Sequence, residues 1–314
     1  MLEAIKTHLS NQDNQLIIQG MSDKYQLSSL EYISLIDILM YYYSISPNPN
    51  TIEIVPIICE KIITYREKFK INQTGEFFTS CIKDFVNNEC SKDYNGTISK
   101  LKSLVDEGLV FHSFNSAFFD KINEQGLVVQ DKPWDLNEIE NVRKIFQRKN
   151  NNNNIFGLYH GRTSTPVFFT DTLISSPYYG LSSPTFFRKF IEHNPKYFNT
   201  FLERDYEKAL QSMNELCDDL NTEEKEIVMN FFYKYWDLFT NDKLPYVAIS
   251  SKEKLGILTY PIPQLPEETL EQYYLRLLLS GRNYMFHENI ARENLDLFNY
   301  EDFTITNPVK EKNI

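Results

Sequence analysis

Glycine is scarce in this sequence, with 10 residues in 314, and the glycine patterns that cradle nucleotide phosphates are missing. There is no GxGxxG motif and no Walker loop, and the GxSxG and HExxH motifs of serine hydrolases and zinc proteases are also absent. The cysteines are scattered, without a CxxC pair or a histidine at metal-ligand spacing; they are Cys59, Cys81, Cys90 and Cys217. The missing motifs exclude the common phosphate-binding loops of nucleotide-binding proteins and the common zinc sites. The scattered cysteines indicate reduced thiols.

Excess basic charge and long apolar runs are lacking as well. The chain has 32 Lys and Arg against 43 Asp and Glu, a formal charge of −11, which argues against binding along a phosphate backbone. No run of about 18 apolar residues occurs, and the N-terminus has no basic segment followed by an apolar one. We therefore expect a cytoplasmic protein with no membrane partner and no cleaved signal peptide, although signal-less secretion into a host remains compatible with the sequence.

Enough apolar sequence is present for a core, since 42% of the residues are hydrophobic and 14% are aromatic. The first 107 residues have helical patterns throughout. Ser28 and Glu31 form a capping-box pattern, and apolar side chains then recur on one helical face as far as Tyr43. Further helices are predicted around Val55–Phe69, over Glu76–Asn88 and over Thr97–Glu107.

The pattern changes at Gly108, the expected stop of the last of these helices. Short β-branched and aromatic runs then predict strands at Leu109–Phe114, Pro166–Thr170, Leu244–Ser250, Gly256–Tyr260 and Asn283–Phe286. Helices are predicted at Asn137–Arg148 (exposed), at Phe198–Leu220, at Asn221–Phe239, and from Pro266 to Gly281. The expected fold class is α+β, with a helical domain over residues 1–107 and a second domain over residues 108–314.

Two stretches carry the functional signal: FHSFNSAFFDKINEQGL, which begins at Phe111, and PVFFTDTLISSPYYGLSSPTFFRKF, which begins at Pro166. Together they resemble the ADP-ribosyltransferases of the diphtheria-toxin and poly(ADP-ribose)-polymerase type. In that family one strand presents a histidine, followed by an asparagine and a helix with I…GL spacing. A second strand, of YFA type, precedes a serine and a tyrosine three residues apart. The resemblance implies a split β core with inserted helices and NAD as a substrate, without a metal.

The resemblance implies a role for each matched residue. His112 takes the place of the histidine that bonds an NAD ribose hydroxyl, and Ser113 that of a glycine whose backbone holds the carboxamide. Phe168 opens the run matched to the YFA strand. Ser176 then falls on the serine that bonds the carboxamide, and Tyr179 on the tyrosine that stacks on the nicotinamide ring.

The main departure from the family concerns its acidic residue. That glutamate bonds the 2″-hydroxyl of the nicotinamide ribose and stabilises an oxocarbenium-like transition state. Its place falls on Asn283, with Glu288 as the substitute five positions on. His160 is an alternative to His112, but it lacks the downstream asparagine and I…GL helix and lies too close to the YFA-like strand. Arg162, two residues later, is a candidate contact for a pyrophosphate or a target phosphate.

The leading hypothesis is an NAD-dependent mono-ADP-ribosyltransferase that acts on a macromolecule, a protein rather than a nucleic acid. Two alternatives stay open. One is a catalytically silent protein that binds NAD or ADP-ribose, which Asn283 in place of the acid suggests. The other is an interaction module whose working surface is the helical region, residues 1–107.

Overall fold

The computed structural model describes residues 2–46, 48–70, 74–129, 135–150, 166–173, 206–235, 244–258 and 260–307. Within these ranges the chain combines helices with a six-stranded antiparallel sheet, which confirms the α+β class and the helical N-terminal region. The helices are α1 (Leu2–Leu9), α2 (Gln12–Tyr25), α3 (Ser29–Ile45), α4 (Thr51–Lys70), α5 (Thr74–Lys92), α6 (Tyr94–Glu107), α7 (Phe119–Gln125), α8 (Leu136–Asn150), α9 (Tyr206–Leu216), α10 (Thr222–Lys234) and α11 (Leu270–Leu278). The strands are β1 (Leu109–Phe114), β2 (Val167–Thr170), β3 (Tyr246–Ser251), β4 (Asn283–Phe286), β5 (Asp296–Asn299) and β6 (Ile305–Thr306).

The N-terminal helices are arranged around α3, which begins at the predicted capping box. The Ser28 hydroxyl accepts from the Glu31 N–H, and the Glu31 carboxylate accepts from the Ser28 N–H. The sequence predicted one apolar face, but Tyr41 and Tyr42 outside that face are buried too. The reason is that α1, α4, α5 and α6 all contact α3, and a helix that is apolar all round belongs at such a centre.

The helices and the sheet share one hydrophobic core. The sheet residues that pack into the same cluster as the α3, α4 and α5 side chains are Phe111, Val247, Ile249 and Phe298. Tyr300, directly after β5, donates a 2.7 Å hydrogen bond to the Asp37 carboxylate of α3. The expected domain boundary falls where α6 ends at Gly108, with φ of +61°, and β1 begins. The core continues across that boundary.

The strand order is β4-β2-β1-β3-β5-β6, so β1 lies near the middle of the sheet. Four of the five strand predictions are confirmed to within two residues at either end. The predicted strand Gly256–Tyr260 is wrong, because Gly256 closes a turn with φ of +62° and the described residues after it are irregular. The sequence pattern does not predict β5, since polar residues at both its ends leave only Leu297 and Phe298 as an apolar signal. Nor does it predict β6, which has only two residues.

A second layer covers the opposite face of the sheet. The Asn115 side chain caps a 3-10 turn, Ser116–Phe118, which leads into α7, and α7 ends at Gly126. Leu127 then pairs with Ile290 of the β4–β5 connection. The sheet side chains that pack against this layer are Val110, Phe114, Val167, Phe169, Ala248 and Leu297.

Two helix predictions need correction. The helix expected to be exposed is α8, but its Ile139, Val142 and Phe146 side chains are buried in a third cluster with α9 and α10. The last helix begins at Leu270, because the Thr269 hydroxyl accepts from the Gln272 N–H in a capping box that lies downstream of the expected start at Pro266.

Arg292 joins three parts of the layer opposite the helices. Its Nε and Nη2 donate to Asn123 Oδ1 of α7 at 3.1 and 3.0 Å. Nη2 also donates to the Thr306 carbonyl of β6 at 3.0 Å, and Nη1 donates to the Leu295 carbonyl. A lysine carries one ammonium group and lacks the planar fork that reaches all three acceptors.

We expect Arg292→Lys to lower the free energy of unfolding by about 2–3 kcal/mol, because several hydrogen bonds to a charged donor are lost at once. Urea unfolding measures the change. The control is Arg148→Lys, whose exposed ion pair with Glu224 is worth less than about 1 kcal/mol. Equal losses for the two variants would contradict the structural role of Arg292.

Candidate functional site

His112 lies within β1, close to the middle of the sheet. β1 pairs with β3 along its whole length, and His112 stands opposite Ala248. On its other side β1 makes a single ladder pair with β2, Phe111 with Thr170. His112 therefore lies one residue beyond the regular pairing of β1 with β2. The imidazole is half-buried and packs against the Phe169 ring, with centroids 5.6 Å apart.

The orientation of the His112 ring is set by the backbone of β2. Its Nδ1 lies 2.7 Å from the Phe168 carbonyl oxygen. Because a carbonyl oxygen can only accept, Nδ1 carries the proton of this bond, and in the neutral ring Nε2 is then a hydrogen-bond acceptor. A ring held in this way suits the recognition of a ligand hydroxyl.

The strand pairing decides which candidate residues share a face with His112. Paired residues of antiparallel strands project from the same face, and Phe169 pairs with Tyr284. His112, Phe169 and Tyr284 therefore lie on one face. Asn283 pairs with Thr170 and projects from the other face. The structure does not bring the Asn283 side chain to His112, because a shift of one residue along a strand reverses the face.

Ser113 and Phe168 also have side chains on the face opposite His112. Ser113 pairs with Val247, whose side chain packs towards the helices. Phe168 pairs with Met285, and both side chains are exposed, by 44% and 47%. It is the carbonyl of Phe168, and not its ring, that contacts His112.

Glu288 lies beyond the end of β4, in an exposed bend. It follows Tyr284 by four residues, a span of at most about 13 Å at roughly 3.3 Å per residue. The described residues thus place the Asn283 side chain on the face away from His112 and Glu288 outside the strand pairing.

The other sequence candidates, Arg162, Ser176 and Tyr179, lie outside the described residues, as does the alternative histidine, His160. The roles of Arg162 and of the Ser176 and Tyr179 pair stay predictions from the sequence.

A charged cluster that the sequence analysis did not single out lies on the His112 face. Its centre is Asp171, the residue after β2, whose side chain is 8% exposed. Asp171 Oδ1 accepts from the Arg282 backbone N–H at 2.8 Å. The second oxygen, Oδ2, lies 3.3 Å from the Tyr284 hydroxyl, 3.7 Å from Lys252 Nζ and 3.9 Å from Arg282 Nε.

Burial is the main influence on the protonation of this cluster. It raises the pKa of Asp171, and the nearby Lys252 and Arg282 oppose that rise. It lowers the pKa of Lys252, which Asp171 opposes. Burial, together with the Asp171 charge, raises the pKa of Tyr284 to about 12. The Tyr284 phenol therefore keeps its proton at neutral pH and acts as a donor towards Asp171.

The sequence contains a weak signal for this cluster. Asp171 directly follows β2, Lys252 directly follows β3, and Arg282 directly precedes β4. Charged residues at strand ends are ordinarily solvated, so each alone indicates nothing. Only the strand order, which no local pattern encodes, brings the three side chains together.

Comparison with known proteins finds no similarity: no protein-family model matches the chain, and neither does any curated protein or solved structure. Among the described residues, no group of three or more His, Cys, Asp or Glu side chains is placed to hold a metal ion. Across the same part of the chain, every helix is too short or too polar to cross a membrane.

Proposed function

We propose that this chain is an NAD-dependent mono-ADP-ribosyltransferase that modifies a protein. One observation carries the proposal. The three stretches that the resemblance matched to the histidine strand, the YFA strand and the late strand form β1, β2 and β4. These strands lie side by side in the sheet, although long segments of chain separate them in sequence.

The presentation of His112 adds support. Its ring is held by a bond from Nδ1 to the β2 backbone, so Nε2 has the acceptor role that a ribose hydroxyl requires. The regular β1–β2 pairing is limited to Phe111 and Thr170, so His112 lies just outside that ladder while its ring still bonds β2. Tyr179 would supply the aromatic face for the cationic nicotinamide ring, as the resemblance implies.

NAD is expected to raise the melting temperature of the protein by a few degrees, since a ligand at ten times its Kd stabilises the folded state by about 1.4 kcal/mol. His112→Ala should abolish the rise, because the ribose hydroxyl loses its acceptor. The control is His287→Ala, an exposed histidine after β4, which should keep it. A wild-type melting curve unchanged by millimolar NAD would exclude the proposal.

The second candidate function is binding of NAD or ADP-ribose without chemistry. The observation that favours it is Asn283, an amide in the place matched to the acid, with its side chain on the face away from His112. Release of nicotinamide from labelled NAD separates the two functions. Stabilisation by NAD without release would identify a binding protein, and release together with labelling of a protein acceptor would identify a transferase.

A further inference from the structure

The proposed reaction requires a negative charge near the ribose. Cleavage of a glycosidic bond passes through an oxocarbenium-like transition state, which a nearby carboxylate and a hydrogen bond to the 2-hydroxyl stabilise. Asn283 projects from the wrong face of the sheet, and Glu288 lies past the end of β4. The question is whether another carboxylate lies on the His112 face.

Asp171 occupies such a position. It follows Phe169 by two residues, just past the end of β2, and Phe169 contacts the His112 ring. Its carboxylate lies near the hydroxyl of Tyr284, the cross-strand partner of Phe169, so it is on the same face. Extending the single β1–β2 pair, Phe111 with Thr170, by one residue would make His112 and Asp171 diagonal neighbours, about 7–8 Å apart. A ribose can bridge side chains at that separation.

The two carboxylate oxygens of Asp171 have different surroundings. Oδ1 has a short bond from the Arg282 backbone N–H at 2.8 Å. Oδ2 has three polar neighbours, from Tyr284, Lys252 and Arg282, and the nearest is at 3.3 Å. Charge-assisted hydrogen bonds are normally about 2.7–2.9 Å long. Among the described residues, Oδ2 therefore has polar contacts on several sides but no donor at that short distance, and a ligand hydroxyl could supply one.

We propose that Asp171 Oδ2 accepts a hydrogen bond from the 2″-hydroxyl of a ribosyl ligand whose other hydroxyl is bonded by His112. This assignment rests on the proposed function and names a catalytic carboxylate directly after β2 in place of one on β4. Lys252 and Arg282 hold the carboxylate in position and offset the loss of its hydration. Tyr284 is a positioning residue that acts through Asp171.

The C1″–N1 bond of NAD breaks, and its electron pair passes to nicotinamide, which leaves as a neutral molecule. C1″ gains oxocarbenium character, which the Asp171 charge stabilises without a covalent bond. The acceptor nucleophile, or water in its absence, forms the new bond to C1″ and releases its proton to solvent.

The experiment measures two quantities on the full chain: the melting-temperature shift with NAD, and the rate of nicotinamide release from NAD with water as acceptor. Asp171→Asn is expected to keep the shift and to lower the release rate about 100-fold or more, as for the loss of one preorganised electrostatic contact. The control is Asp296→Asn, which alters another buried carboxylate of the sheet and should leave release unchanged.

If Asp171→Asn fails to fold, Asp171→Glu takes its place. It keeps the charge for Lys252 and Arg282 but moves the oxygens by one methylene group, so release should fall at least tenfold with the NAD shift intact. If a folded Asp171 variant releases nicotinamide at the wild-type rate, the role assigned to Asp171 is wrong, and the proposed function is unaffected. Asp171, Lys252 and Arg282 would then form a structural ion cluster. A wild-type protein that neither binds NAD nor releases nicotinamide would overturn the proposed function, and the assignment with it.

Discussion

Gly126→Ala is expected to destabilise the protein by about 3–5 kcal/mol, the sum of backbone strain and a steric clash that cannot relax. Gly126 has φ of +78° and ψ of −160°, a conformation that side-chain-bearing residues avoid. A Cβ built there would lie 2.1 Å from the Ile290 carbonyl oxygen and 2.8 Å from the Arg292 nitrogen. Both neighbours are backbone atoms, so no rotamer change can relieve the clash.

The backbone around Gly126 is also fixed by pairing. Leu127 and Ile290 exchange two hydrogen bonds of 2.9 Å, which join the end of α7 to the β4–β5 connection. Moving this connection would break the layer that covers the His112 face. We therefore expect Gly126→Ala to lose the rise in melting temperature with NAD as well as part of its free energy of unfolding.

Urea unfolding of Gly126→Ala measures the loss, and Gly20→Ala is the matched control. Gly20 lies in α2, and a Cβ there would meet nothing within 4 Å. Alanine is a better helix former than glycine by about 0.8–1.0 kcal/mol, so the control should be neutral or more stable than wild type. A loss below about 1 kcal/mol at Gly126 would show that the connection is mobile enough to yield.

The elements predicted well from the sequence are those specified by local chemistry. The capping box at Ser28 and Glu31 and the apolar stripe after it define α3 without help from the rest of the chain. Gly108 ends α6 as predicted, because it takes positive φ where another residue would be strained. Local patterns did not reveal β5, whose polar residues Asp296 and Asn299 are buried by tertiary packing.

The candidate site was predicted only in part, for a physical reason. The resemblance identified the strands that form β1, β2 and β4, and these strands are neighbours. It could not identify which residue of β4 shares a face with His112, because that depends on the pairing register. It also missed Asp171, because a carboxylate becomes a site residue only through the strand order that places it beside Lys252 and Arg282.

A buried carboxyl group in the helical region makes stability depend on pH. Asp37 of α3 is fully buried between the helices and the sheet, and its Oδ1 accepts the hydrogen bond from Tyr300. Its Oδ2 is buried and has no hydrogen-bond partner in the part of the chain that the structure describes. Burial raises the pKa of Asp37 well above its ordinary value, and the Tyr300 bond opposes this. Tyr41 nearby stays neutral, because burial raises its pKa to about 12.

The folded state therefore binds the Asp37 proton more tightly than the unfolded chain does. This contribution to stability is complete below the unfolded pKa of about 3.9 and is lost as pH rises towards the folded-state pKa. Asp37→Asn keeps the shape and cannot ionise. Relative to wild type, the variant should gain up to about 1.4 kcal/mol in free energy of unfolding for each pH unit above 4 until that pKa is reached.

Urea unfolding of wild type and Asp37→Asn at intervals between pH 4 and 9 tests this dependence. The difference between them should be small near pH 4 and increasingly favour the asparagine variant as pH rises. Asp106→Asn, which removes an exposed carboxylate from α6, should show no such growth. Tyr300, just after β5, donates a hydrogen bond to Asp37. In Asp37→Asn, the free energy of unfolding should therefore lose its pH dependence whether unfolding is followed in the sheet or in the helices. A difference that stays constant with pH would mean that Asp37 is hydrated in solution.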